Sequence, residues 1–162
     1  MLGYLLPIRK EYCDQIFKDQ RKFFEFRRHF DQNFKGRIFV YESGKDGCHK
    51  VIGFFDTERI GYVVPGKEVT EDFDRLLDAI PEEKVEEFLN CGERLYCIPI
   101  IKPRRFEKAM SLEDWSMYYA VDKMWKQPPQ SRARIQYNGV YDALTVPVPI
   151  IHYQGKIKAP YV

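Results

Sequence analysis

Zinc-binding cysteine pairs, a glycine-rich phosphate loop and long apolar runs are all missing from this 162-residue sequence. The four cysteines, Cys13, Cys48, Cys91 and Cys97, form no CxxC pair, which argues against a zinc site. They are expected to be free thiols in a reducing compartment. No glycine loop of the kind that cradles a phosphate is present, and regular βαβ alternation is absent. Neither a metal nor a cofactor is therefore expected.

Apolar runs long enough to cross a bilayer are also absent from the sequence. The opening segment, MLGYLLPIRK, has too short an apolar run for a secretory signal peptide. The sequence therefore predicts a protein of the cytoplasm with no membrane partner.

Apolar and aromatic residues are plentiful, at 44% and 15% of the chain, so a packed core is expected and disorder is excluded for most of it. The length suits one domain. The formal net charge is only +2, but the charges are segregated. Basic residues dominate up to Arg37 and again from Lys102 to Lys108, whereas acidic residues crowd the stretch from Glu68 to Glu87. This pattern favours either one basic and one acidic face or a mixed, solvated surface.

Hydrophobic periodicity and turn residues predict a mixed chain of short strands and a few helices. Strands are expected at 2–8, 23–28, 37–43, 49–55 and 94–101, with an edge strand or extended tail at 145–153. Helices are expected at 9–18, in two pieces between 70 and 89, and at 112–124. The fold class is therefore α+β, with a small, mixed, strongly curved sheet or barrel and flanking helices.

One short strand carries the densest cluster of charged and aromatic residues, KFFEFRR, from Lys22 to Arg28. Glu25 and Arg27 are two residues apart, so on a strand both point to the same face. They can form an ion pair or flank a polar ligand, and Lys22 can reach the same cleft from its rim. The alternative is an amphipathic strand whose charged face is simply solvated.

The same segment resembles the Gly-x-Lys-x-x-Glu-x-Arg signature of ASCH domains, which belong to the PUA-like superfamily. Further similarities follow in the same order along the chain: GRIFVYES at 36–43, VIGF at 51–54, a loop and helix at 109–115, and PPQS at 128–131. The resemblance covers about residues 1–135, and residues 136–162 form a C-terminal extension packed on the domain or extending from it. Gln20 stands where the family has glycine, and its presence predicts a differently shaped loop before Lys22.

The resemblance implies a PUA-like β-barrel with a ligand cleft lined by Lys22, Glu25 and Arg27. Tyr41 and Ser43, on the next strand, are implied as neighbours in that cleft. If these residues have the roles of the family's motif residues, Arg27 contacts phosphate or a base edge, Glu25 accepts hydrogen bonds, and Lys22 neutralises negative charge.

Three functions remain open from the sequence. The first is an RNA- or nucleotide-binding module with a regulatory role. The second is a hydrolase acting on RNA or a modified nucleoside, with Lys22 and Glu25 as candidate catalytic residues. The family's amidohydrolases have a threonine nucleophile where this chain has Glu25, so the same route is not expected. The third is a protein-interaction module that uses the acidic helix or the C-terminal tail.

Aromatic residues near the end of the chain allow one more interpretation. Trp115, Tyr118, Tyr119 and Trp125 could form a cage for a modified base, but their spacing is more typical of a buried helix face.

Overall fold

The computed structural model describes residues 1–63, 94–139 and the short strand at 145–147. The two predicted acidic helices and the end of the C-terminal tail lie outside these residues. Within the described part, no helix is long and apolar enough to cross a membrane. The elements are, in chain order, β1 (Leu2–Arg9), α1 (Lys10–Phe17), β2 (Phe24–Arg27), β3 (Gly36–Ser43), β4 (Val51–Thr57), β5 (Gly61–Val63), β6 (Leu95–Pro99), β7 (Ile101–Met110), α2 (Leu112–Tyr118), β8 (Ala133–Gln136) and β9 (Thr145–Pro147).

The described strands pair into two sheets. The larger sheet has the order β8-β1-β3-β4-β7-β9, and the smaller has the order β2-β6-β5. In the larger sheet β1 and β3 are parallel, and every other neighbouring pair is antiparallel. Strands β3 and β4 form an antiparallel hairpin, and the edge position predicted for the proline-containing β9 is confirmed. The α+β class is confirmed, and the barrel stays a prediction because the strand pairs divide between two sheets.

Alternating side chains along the larger sheet build a core on each of its faces. On β3, Ile38 and Val40 belong to the first core, whereas Phe39 and Tyr41 belong to the second. The first core is completed by α1 and by Ile98 of the smaller sheet. The second is completed by α2, so the larger sheet is covered on both sides.

The second core settles the question of the aromatic cage. Trp115 and Tyr119 are fully buried, and their rings contact Phe39 at centroid distances of 5.2 and 4.8 Å. Tyr118 and Trp125 pack against the same cluster from its edge. These aromatic residues are core residues, as their spacing indicates, and a base-binding cage is not what they form.

Helix α2 is shorter than predicted. Its start is capped, since Ser111 Oγ accepts a hydrogen bond from the Asp114 N–H at 3.1 Å. The helix ends at Tyr118, however, and not near residue 124. Ala120 adopts a left-handed φ of 45°, which stops the helix, and the N–H of Asp122 then bonds to Gln136 O.

The start of the predicted C-terminal extension packs on the domain. Strand β8 continues through Gln136 and pairs with β1, while Tyr137 is buried in the second core. Farther along, β9 pairs with β7. The division of the chain at residue 135 stays a prediction.

Candidate functional site

The motif strand β2 lies at the edge of the smaller sheet, with its far end beside β1 of the larger sheet. Antiparallel pairing with β6 sets Glu25 opposite Ile98 and Arg27 opposite Tyr96. The loop that leads into β2 is fixed at its start, because the N–H groups of Arg21 and Lys22 bond to Gln15 O at the end of α1. Helix α1 therefore sets the position of the motif's first charged residue.

An open pocket of ≈450 Å³ lies beside β2. Its volume is in the range typical of small-molecule sites. The residues that line it come from β1, α1, β2, the end of β3 and the segment at 128–130: Pro7, Ile8, Arg9, Tyr12, Glu25, Phe26, Arg27, Ser43, Pro128, Pro129 and Gln130. We call it the Glu25 pocket.

Glu25 is the unusual residue of this pocket, because only 7% of it is exposed. Its Oε1 accepts a hydrogen bond from the N–H of Phe26 at 3.1 Å. Its Oε2 is buried and has no hydrogen-bond partner among the described residues. The solvated-strand interpretation is therefore wrong for Glu25. A buried carboxylate oxygen without a partner is destabilising, and such groups in folded proteins usually bind water, an ion or a ligand.

Arg27 forms part of the pocket wall and also holds it together. Its Nη2 donates to Pro7 O at 2.7 Å, and its Nη1 donates to Ser131 O at 3.1 Å. Pro7 O is accessible because the pairing of β8 with β1 stops at Leu5. The expected ion pair is present but long, with 3.8 Å between Arg27 Nε and Glu25 Oε1. Three of the five guanidinium N–H groups thus point at protein atoms. The other two have no partner among the residues that the structure describes.

Lys22 lies at the rim. It does not line the pocket, but its Nζ stands 5.1 Å from the ring centroid of Tyr12 and 5.4 Å from that of Phe26. Both rings line the pocket. Such cation–π contacts contribute about 0.5–1 kcal/mol at exposed positions. They hold a positive charge at the entrance.

Ser43 and Tyr41 lie in different parts of the structure. Ser43, at the end of β3, lines the Glu25 pocket. Tyr41 is 4% exposed, belongs to the second core and is not among the pocket residues, because its side chain leaves the opposite face of β3 from Val40. Burial raises the pKa of Tyr41. The structure therefore brings Glu25, Arg27 and Ser43 together and separates Tyr41 from them.

Sequence reasoning missed several pocket residues. Tyr12, in the helix predicted at 9–18, is not among the predicted site residues, and Pro128, Pro129 and Gln130 belong only to the PPQS part of the resemblance. In the structure all four line the pocket. The order of these segments in the family pattern was the one signal that could have pointed to them.

Gln20, which replaces the family glycine, has a φ of 55°. The expectation of a differently shaped loop is therefore wrong in this respect, since the backbone keeps the left-handed conformation that glycine favours. Glutamine adopts it at a cost of about 1–2 kcal/mol.

A larger pocket of ≈550 Å³ lies between α1 and β7 and contains none of the predicted site residues. Gln20 lines it, and the side-chain Oε1 of Gln20 is buried without a hydrogen-bond partner in the described part of the chain. An unpaired neutral amide is much less costly than an unpaired carboxylate. The Glu25 pocket is therefore the better candidate for a binding site.

Cysteine chemistry is not available near the site. Cys13, in α1, is buried and donates its S–H to Ile8 O at 3.3 Å. Burial, with the nearby carboxylates of Glu42 and Glu25, raises the pKa of its thiol. Burial also raises the pKa of Cys97 to about 12. Both thiols stay protonated at neutral pH and are poor nucleophiles.

Comparison with known proteins agrees with this architecture. No protein-family model and no curated protein sequence matches the chain. Solved structures do match, and among them are the crystal structure of ASCH from Zymomonas mobilis and those of two of its mutant proteins, one tyrosine-to-phenylalanine and one serine-to-alanine. The first has a TM-score of 0.57 at 20% identity and covers 81% of this chain and 85% of its own. The mutants have TM-scores of 0.57 and 0.56 at 18% identity, and they cover 81% of this chain and 88% and 86% of their own.

At this level of sequence identity the structural similarity shows the fold alone. Together with the two sheets and the two described helices, it confirms a mixed α+β fold. The chain has the fold of the ASCH crystal structures from Zymomonas mobilis.

Proposed function

We propose that this chain is an RNA- or nucleotide-binding module and that the Glu25 pocket receives a nucleobase. The observation that carries the proposal is that Glu25 lines an open pocket while its buried Oε2 has no partner among the described residues. A carboxylate oxygen only accepts hydrogen bonds, so its ligand must bring a donor. The amino and imino groups on the edges of bases are such donors.

The remaining groups fit a base with a phosphate attached. Tyr12 and Phe26 supply aromatic surface beside the pocket, and base–aromatic stacking contributes about 1–3 kcal/mol per base. Lys22 supplies a positive charge at the rim. The two N–H groups of Arg27 without a partner among the described residues can donate to a base edge or a phosphate oxygen. The other three point at Pro7 O, Ser131 O and Glu25 Oε1 and so hold the segments of the pocket together.

The test is binding of a fluorescein-labelled single-stranded RNA of about ten nucleotides to the full chain, followed by anisotropy. Glu25→Gln should weaken binding about tenfold or more, because a hydrogen bond to a charged group contributes about 1.5–3 kcal/mol. Glutamine retains an acceptor for the Phe26 N–H, so the variant should fold. Thermal unfolding of the variant checks this.

The control is Glu107→Gln, which removes the same charge from an exposed residue outside the pocket. Loss of a negative charge alone should strengthen RNA binding slightly, so the two variants are expected to move in opposite directions. Equal affinities for wild type and Glu25→Gln would contradict the proposal. Cleavage of the RNA, or hydrolysis of N4-acetylcytidine in a parallel incubation, would favour the hydrolase alternative, provided that Lys22→Ala abolishes it.

A further inference from the structure

A second hollow of ≈400 Å³ is lined by cationic and aromatic side chains. Its lining residues are Arg28, His29, Phe30, Arg94, Tyr96 and Arg132. Within the described part of the chain no aspartate or glutamate lines it. We call it the arginine pocket.

The fold explains why three arginines meet here. Arg27 pairs with Tyr96 in antiparallel register, so Arg28 leaves β2 next to the point where Arg94 enters β6. Arg132 follows Ser131, whose carbonyl oxygen is held by Arg27. Arg27, which lines the Glu25 pocket, thus also positions the backbone next to Arg132 of the arginine pocket.

The charges of the arginine pocket are not neutralised by the protein in the part described. Arg28 and Arg132 are exposed, with no carboxylate and no side-chain hydrogen-bond partner there. Arg94 stacks on the Tyr62 ring at 4.5 Å, which leaves the edge of its guanidinium available. Asp31, which lies two residues after His29, accepts a hydrogen bond from the Asn33 N–H. Three like charges around one hollow favour an anion there.

Neighbouring residues of the chain line the two pockets. Arg27 lines the first and Arg28 the second, and Gln130 and Arg132 likewise divide between them. The backbone positions of these neighbours are at most about 7 Å apart, since that is the span of two residues of extended chain. This proximity of the lining residues makes the arginine pocket a candidate for the phosphate of a ligand whose base lies in the Glu25 pocket.

We infer that the arginine pocket binds a phosphate of the same ligand whose base occupies the Glu25 pocket. This inference rests on the proposed function and narrows it, because the ligand is then a phosphorylated strand or nucleotide and not a free nucleoside. Guanidinium groups suit the role, since their planar N–H pairs match phosphate oxygens.

The test compares Arg28→Gln/Arg132→Gln with Lys102→Gln/Lys108→Gln, which removes two charges from exposed positions that line neither pocket. Binding of the same labelled RNA is measured between ~50 and ~200 mM salt. Each phosphate contact contributes about 0.7 to the slope of log affinity against log salt on a single strand. Because the arginine pocket holds one phosphate, the arginine variant should lose about 0.7 in slope and on the order of tenfold in affinity at ~100 mM salt. The lysine variant should lose much less of either.

Two results would overturn the inference. If the arginine variant keeps the affinity and slope of the lysine variant while Glu25→Gln loses binding, the base pocket stands and the phosphate lies elsewhere. If the wild-type chain binds no RNA, the proposed function fails, and the arginine pocket is titrated alone with inorganic phosphate by NMR. Absence of shifts at the Arg28 and Arg132 amides then overturns the phosphate site as well, whereas shifts that the arginine variant abolishes would retain it.

Discussion

At the scale of single residues, the site depends on a carboxylate placed where solvent does not reach it. Glu25 could be predicted from sequence as a functional residue, because the strand pattern and the family signature both select it. What the sequence could not show is that one carboxylate oxygen of Glu25 accepts a hydrogen bond from the neighbouring N–H while the other has no partner in the described part of the chain. That difference depends on burial, which arises from distant segments.

Gln20 illustrates a residue whose effect is on the backbone. Gln20→Gly should stabilise the protein by about 0.5–1 kcal/mol, because glycine adopts the left-handed φ of 55° without steric strain but has more freedom to lose on folding. Urea unfolding measures the change. The matched control is Gln15→Gly inside α1, which should destabilise by about 1 kcal/mol. Destabilisation at both positions would contradict this account of the loop.

At the scale of elements, Arg27 connects the two sheets by reaching from β2 to Pro7 of β1 and to Ser131. We expect Arg27→Met to destabilise the protein by about 3 kcal/mol, because it removes two charge-assisted hydrogen bonds and leaves Glu25 without its cation. Arg105→Met, on the exposed surface of β7, should change stability by less than about 0.5 kcal/mol. Chemical denaturation gives both values.

The double variant Glu25→Gln/Arg27→Met separates the two contributions. Its free energy of unfolding should be higher than that of Arg27→Met by at least about 1 kcal/mol, because no charge is then left buried and unpaired. Additive losses in this cycle would show that Arg27 does not stabilise the carboxylate.

Prediction of the elements from sequence succeeded where periodicity was strong and failed where charge obscured it. Strands β1, β3, β4 and β6 and helix α1 were predicted within a few residues. Strand β7 was missed because half of its ten residues, IKPRRFEKAM, are charged and because it includes Pro103. Strand β8 was missed because it has four residues, of which only Ile135 is buried.

At the scale of the whole molecule, two sheets meet where the functional residues gather. The charged strand β2 belongs to the smaller sheet. The hydrogen-bond acceptors of its Arg27 lie in the larger sheet and in the segment before β8. Both pockets lie along this junction. The sequence could predict the α+β class and the motif, but the junction results from pairings between residues a hundred positions apart.

The most direct test of the central claim is NMR of the full chain labelled with ¹³C at the glutamate carboxyl groups, titrated with the single-stranded RNA. The Glu25 resonance is assigned by its loss in Glu25→Gln. It should shift and saturate as RNA is added, while the resonance of the exposed Glu107 stays in place. RNA binding that leaves the Glu25 carboxyl resonance unmoved would show that the ligand does not enter this pocket, and the account given for it would be wrong.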